Sequence, residues 1–276
     1  MKRYRIIYFS FDTRATVLNI CQSPEHKRPV IESIEREYGI LDLEQKVDNL
    51  TDFGTFSPSI LPFFTPSFIE IQRSFIIGGY YPALTGACCL GESVLNYLIQ
   101  ILKNDFPLNA RNRKLVCKRN IINWDKMLGI LRDWEVLSPD IIGYFEQLRD
   151  IRHQEAAHFN PNSHINTRQV ALRAINLLQK IIREQFGFLG GQPWIIPGTK
   201  GSFYIRKEYE SYPFVKRVYL PYCYLVGPLH KMHIDKTTRS PSVEDDFQYV
   251  DKEVTDEEFA NMVNAPEEYR DVVITA

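Results

Sequence analysis

Apolar residues recur along this chain with two different periods, and the changes between them divide it into parts. The opening RYRIIYFSF alternates and is rich in aromatic and β-branched side chains, which predicts a strand. PVIESIEREYG and LDLEQKVDNL then predict short helices. FSPSILPFFTPS follows, and its Pro58, Pro62 and Pro66 predict an irregular connection.

From about residue 67 to 187 every pattern is helical. Helix A covers roughly 67–78. Helix B, roughly 83–103, gathers Leu84, Ala87, Cys88, Val94, Leu95, Leu98, Ile101 and Leu102 on one face, with Gly91 open to the close approach of a neighbour. Helix C, about 124–135, repeats Trp124, Met127, Leu128, Leu131 and Trp134 at three- and four-residue steps behind an Asn123 cap. Helix D starts near Pro139 and ends near Phe159, before Asn160-Pro161; helix E, about 167–186, carries Ala171, Ile175, Leu178, Ile181 and Ile182. Short connections make an antiparallel bundle the economical arrangement.

Alternation returns in SFYIRKEY and FVKRVYLPYCYLVGP, so the carboxyl side is expected to supply strands able to pair with the first one. The expected fold is therefore α+β, mainly α. It has an N-terminal α/β segment (1–64), a helical bundle (65–187), a β-rich segment (188–236) and an acidic tail (237–276). In the tail, TDEEFANMV reads as a helix opened by a Thr255/Glu258 capping box.

Composition bounds the function. With 44% hydrophobic residues in 276, a sizeable core is available. No apolar run approaches the roughly 18–20 residues of a membrane span, and MKRYRIIYFSFDTR lacks the apolar core of a signal peptide, so the expected setting is cytoplasmic, with no membrane. Five scattered cysteines without a CxxC pair suit free thiols. The formal net charge of −1 hides a division, because 237–276 holds 11 acids against 3 bases, leaving the rest of the chain positive.

The stretch LRDIRHQEAAHFNP, residues 148–161, puts chemistry on helix D. At about 100° per residue, Ile141, Phe145, Leu148, Arg152, Glu155, Ala156 and Phe159 share one stripe, so a guanidinium sits among apolar positions. It must stay hydrated at an opening or find a partner: Glu155 at i+3, or a carbonyl of the next helix. His158 stands at the edge of the stripe in the last turn, where the helix carbonyls favour imidazolium, and His153 lies off the stripe.

An arginine, a polar residue and then a histidine near the end of the penultimate helix of a bundle resembles the HEPN superfamily, whose motif is Arg, four to six residues, then His. Arg152, His153 and His158 fit it, and LRDIRHQEAAHF is similar to the LR-x-x-R-N-x-x-x-H stretches of small bacterial members, with one residue more than their commonest spacing. The resemblance covers roughly 65–187. It implies a metal-independent endoribonuclease that needs no cofactor, with Arg152 and His158 catalytic and RNA as the partner. It also implies a homodimer through helix D that brings two Arg/His sets over one phosphate. The family's setting adds a toxin or anti-phage role with a regulatory partner or antitoxin. A non-catalytic dimerisation or adaptor module on the same bundle is the alternative.

Further residues enter as auxiliaries. His153 is an RNA contact or a solvated residue, Glu155 orients or neutralises Arg152, and Asn160 binds phosphate or caps the helix. Arg111, Arg113, Lys114, Lys118 and Arg119 between helices B and C form a basic segment able to hold a phosphate backbone. Arg206, Lys207, Lys216 and Arg217 stand among aromatics that can stack bases. No metal site is expected, since Cys223, His230 and His233 lack a fourth ligand.

Overall fold

The structure is a computed structural model and describes residues 1–7, 10–12, 14–20, 23–106, 123–156, 166–189, 191–234, 241–245 and 252–265. It is mainly helical with small antiparallel sheets, the α+β, mainly α class expected. The chain forms two compact units. One is Ser10–Gly187; the other joins Met1–Phe9 to Phe188–Ala276.

The first unit begins with strand β2 (Ser10–Asp12) and helices α1 (Arg14–Ile20), α2 (Pro24–Tyr38) and α3 (Leu43–Phe53). Strand β3 (Phe56–Ser59) pairs antiparallel with β2, so a short strand forms where the prolines predicted none. Pro58 lies near the end of this edge strand, where a missing N–H is tolerated. The helices α4 (Thr65–Ile76), α5 (Tyr80–Leu102), α6 (Trp124–Asp133), α7 (Pro139–Ile151) and α8 (Thr167–Phe186) match helices A to E apart from the end of D.

Their positions follow from ordinary forces. Asn123 caps α6 through a 2.9 Å bond from Lys126 N–H, and Ser138 caps α7, where Pro139 occupies the first turn. Phe53, Phe68 and Phe75 are fully buried where α3 meets α4, with Phe53 and Phe68 packed edge to face at 5.6 Å. Asn49 of α3 is buried too, and its amide donates to the Phe75 and Ile76 carbonyls that end α4, both at 3.1 Å. Residues 10–64 are thus built into the same unit as the bundle, and the sequence boundary at 64 falls inside it.

In the second unit β1 (Arg3–Ile6) pairs antiparallel with β4 (Cys223–Val226), Arg3 opposite Val226 and Ile6 opposite Cys223; β5 (Lys231–Ile234) pairs with β6 (Pro241–Glu244). The alternation expected to make longer strands over 202–222 does not do so. Apart from short bridges at Tyr204 and Ile205, this stretch winds into 3₁₀ turns at Lys207–Tyr209 and Leu220–Tyr222 and a π turn at Val215–Tyr219. Pro213 and Pro221 remove ladder donors, and the buried Phe214, Val215, Val218 and Tyr219 follow a helical, not an alternating, spacing.

The acidic tail is partly core. Helix α9 (Asp256–Asn264) opens with the Thr255/Glu258 capping box and buries Phe259, Ala260 and Met262. Arg3, 1% exposed, holds it: Nε donates to Asp256 at 2.7 Å, Nη2 to the Val254 carbonyl at 2.6 Å, and the guanidinium lies over the Phe259 ring.

Candidate active site

Helix α7 is amphipathic up to Ile151, burying Ile141, Ile142, Phe145, Leu148 and Ile151. There the hydrogen bonding changes, and Arg152–Ala156 forms a π turn instead of continuing the α-helix. The wider turn breaks the 100° phase on which the sequence wheel rested. Ala156 stays buried, while Arg152 and Glu155 are half-buried and His153 is exposed.

Arg152 does find a partner, though not the expected one. Its Nη2 lies 3.0 Å from Oε2 of Glu92 on α5, with the two side chains 30% and 16% exposed. Glu155 does not take that role; among the described residues its buried Oε2 has no hydrogen-bond partner. The signal for Glu92 was in the sequence: it is the lone charged residue of the 23 in α5. An isolated carboxylate in such a helix needs a cation or water.

Helices α5 and α7 approach closely beside this pair. A Cβ on Gly91 would stand 2.6 Å from Cδ2 of Leu148, which precedes Arg152 by one turn. The close-approach role read for Gly91 is therefore the one it has. One face of α5 then tracks the whole turn, because Tyr81, Cys88 and Glu92 fall within about 40° of each other on a helix. At one end Tyr81 Oη donates to the Ala156 carbonyl at 3.0 Å. At the other, Glu92 meets Arg152. Between them the Cys88 thiol is pushed up to about 12, first by burial and next by Cys89, with the Arg152 charge pulling the other way.

Before the turn, Arg149 bridges to Asp125 of α6 and to Asp150 at 2.8 Å, tying α7 to its neighbour. Behind it a groove of about 450 Å³ runs between α7 and α8, lined by Asp150, Gln154, Arg173, Asn176 and Lys180 among others. Arg173, Asn176 and Lys180 are exposed along its wall. Another cleft, of about 880 Å³, sets Asp42, Glu44, Asp48 and Asp52 against Arg168, an unfavourable bed for a polyanion.

His158 and Asn160 lie outside the described residues, as do Arg111, Arg113, Lys114, Lys118 and Arg119. Of the second basic group, Lys207 pairs with Glu210 at 2.9 Å and Arg206 donates to the Ile195 carbonyl, while Lys216 and Arg217 are exposed; Tyr204, Phe214 and Tyr219 are buried, not free to stack on bases. His230 uses both ring nitrogens, one on Arg5 and one on the Gly227 carbonyl at 2.7 Å. No group of three or more His, Cys, Asp or Glu able to hold a metal occurs among the described residues. Nor is any described helix long and apolar enough to cross a membrane.

No family model matches the chain, and no curated protein or solved structure matches it.

Proposed function

We propose that this chain is a metal-independent endoribonuclease of the HEPN type, acting in a toxin or anti-phage system of a prokaryote, under a regulatory partner or antitoxin. The observation that carries the proposal is the state of Arg152. Its guanidinium closes a bundle helix, is tethered by one nitrogen to Glu92, and keeps a third of its surface open to water beside the exposed His153. That opening leaves room for a phosphate to reach the guanidinium, as a clamp requires.

In the proposed reaction a base removes the proton of a ribose 2′-hydroxyl, whose oxygen attacks the adjacent phosphorus. An acid protonates the departing 5′-oxygen, and the chain breaks with a cyclic phosphate on one side. Arg152 stabilises the charge on the phosphorane, and His158 moves the protons. One helix supplies one histidine, so a homodimer through the helix carrying Arg152 and His158 provides both acid and base. Arg111, Arg113, Lys114, Lys118 and Arg119, with Arg173 and Lys180 of the groove, hold the flanking phosphates.

The Arg152–Glu92 pair itself favours one second reading, a non-catalytic dimerisation or adaptor module in which that pair only ties two helices together. Cleavage of a mixed tRNA and single-stranded RNA pool in EDTA separates the two. The ribonuclease reading requires that the wild type cuts and that folded Arg152→Ala and His158→Ala variants do not. Activity surviving in both variants removes the site.

A further inference from the structure

The Glu92 carboxylate has a place in the site that the arginine–histidine motif does not provide for. It comes from a different helix, 60 positions earlier in the chain, and is the only charge on that helix. Its location relative to Arg152 is set by backbone packing. Gly91, the residue before it, receives Leu148, the residue one turn before Arg152. The two helices therefore pack closely at the step directly below the ion pair. Among the described residues Glu92 is the ion partner of Arg152, and it engages Nη2, leaving the Nε–H and Nη1 donors to an incoming group.

We propose that Glu92 is the positioning residue of this site: it fixes one edge of the Arg152 guanidinium so that the opposite edge faces a phosphate in a set orientation. The inference rests on the ribonuclease reading for its chemistry, but the geometry stands apart from it. A carboxylate next to a phosphate-binding arginine weakens attraction for the ground-state anion. Its benefit lies in orientation, which counts most when charge develops in the transition state. The two effects have opposite signs, and that makes the role measurable.

The test compares wild type with Glu92→Gln and Glu92→Asp. Binding is read with an RNA oligonucleotide carrying a 2′-deoxy sugar at the cleavage position, and turnover with the all-ribose form. Glu92→Gln is expected to bind the deoxy probe about threefold more tightly, since a repelling charge is gone. Its kcat is expected to fall about ten- to a hundredfold through lost orientation. The melting midpoint stays within about 3 °C, because the amide keeps an acceptor oxygen for Arg152 and the pair is partly exposed. Glu92→Asp, which keeps the charge on a shorter arm, recovers part of kcat.

A kcat for Glu92→Gln equal to wild type, or a fall in kcat, binding and melting point together, overturns the assignment. If the wild type cuts nothing, the ribonuclease reading and the positioning role fall together, and tighter binding by Glu92→Gln shows only that a repelling charge is gone. If the wild type and Glu92→Gln cut equally well, the positioning fails and the ribonuclease stands.

Discussion

Tyr81 Oη donates to the main-chain carbonyl of Ala156 at 3.0 Å, and this bond fastens the end of the turn that starts at Arg152. A π turn leaves carbonyls without regular partners, so a side chain from the next helix substitutes for the missing ladder. Removing only the hydroxyl, in Tyr81→Phe, is expected to cost about 1 kcal/mol of stability. It should also lower RNA cleavage several-fold while leaving the melt cooperative. Cleavage unchanged in Tyr81→Phe shows that the turn's closure has no bearing on the site.

Gly91 and Gly143 make a matched pair of helix glycines with opposite expectations. At Gly91 an added methyl meets Leu148 at 2.6 Å and Trp124 at 3.2 Å, all within the core. Gly91→Ala is therefore expected to destabilise by roughly 1–3 kcal/mol through overpacking, and to push apart the two helices that carry Glu92 and Arg152. At Gly143 nothing lies within 4 Å of the added carbon. Gly143→Ala should stabilise by roughly 0.5–1 kcal/mol, the ordinary gain of alanine in a helix interior. Urea titration of both variants checks the signs.

These glycines also mark what could be read from sequence. Periodicity located the bundle helices to within a few residues because burial of one face sets it, and Asn123 and the Thr255/Glu258 box declared their helix starts through local chemistry. The π turn was not legible, since one inserted residue leaves no trace in apolar spacing until the ladder has shifted. Arg152 is legible as a charge out of place, but the partners the sequence offers are Glu155 on its own helix or a carbonyl of the next, not a carboxylate across the interface. Glu92 required knowing which helix lies opposite, a long-range fact that only the Gly91–Leu148 contact reveals. The strands expected over 202–222 failed because aromatic and β-branched residues pack equally well on a tight turn once prolines forbid a ladder.

Arg3 fixes α9 by bonds that cannot be replaced by water, being 1% exposed. Arg3→Ala leaves the Val254 carbonyl without its donor, reduces Asp256 to the Lys207 N–H at 3.3 Å and empties space against Phe259, a loss of roughly 2–4 kcal/mol. The consequence should be local: protease sites within 252–265 open before those of the helical unit. Simultaneous cleavage of both units, or none, contradicts this. For the same reason a truncation meant to remove the acidic tail must spare Phe259, or it removes core.

Cys88 and Cys89 are adjacent on α5 yet face different surroundings, one buried and one exposed. The thiolate is the reactive form, and burial with the Cys88 thiol held near 12 leaves almost none of it at neutral pH. Iodoacetamide at pH 8 should therefore modify Cys89 and spare Cys88, as tandem mass spectrometry of the α5 peptide would show. The same shift has a stability consequence whose sign is set by proton binding. From about 9, where an unfolded thiol ionises, up to about 12, the folded chain keeps a proton that the unfolded chain has released. Stability from this group is thus intact below pH 9 and declines as pH rises through that window. Cys88→Ala should show a flatter decline in urea midpoint between pH 8 and 10.5 than wild type, after allowing for its constant cavity cost. Equal slopes, or alkylation of Cys88 ahead of Cys89, would mean that this face of α5 is open to water, and the Arg152–Glu92 pair beside it more exposed than its packing indicates.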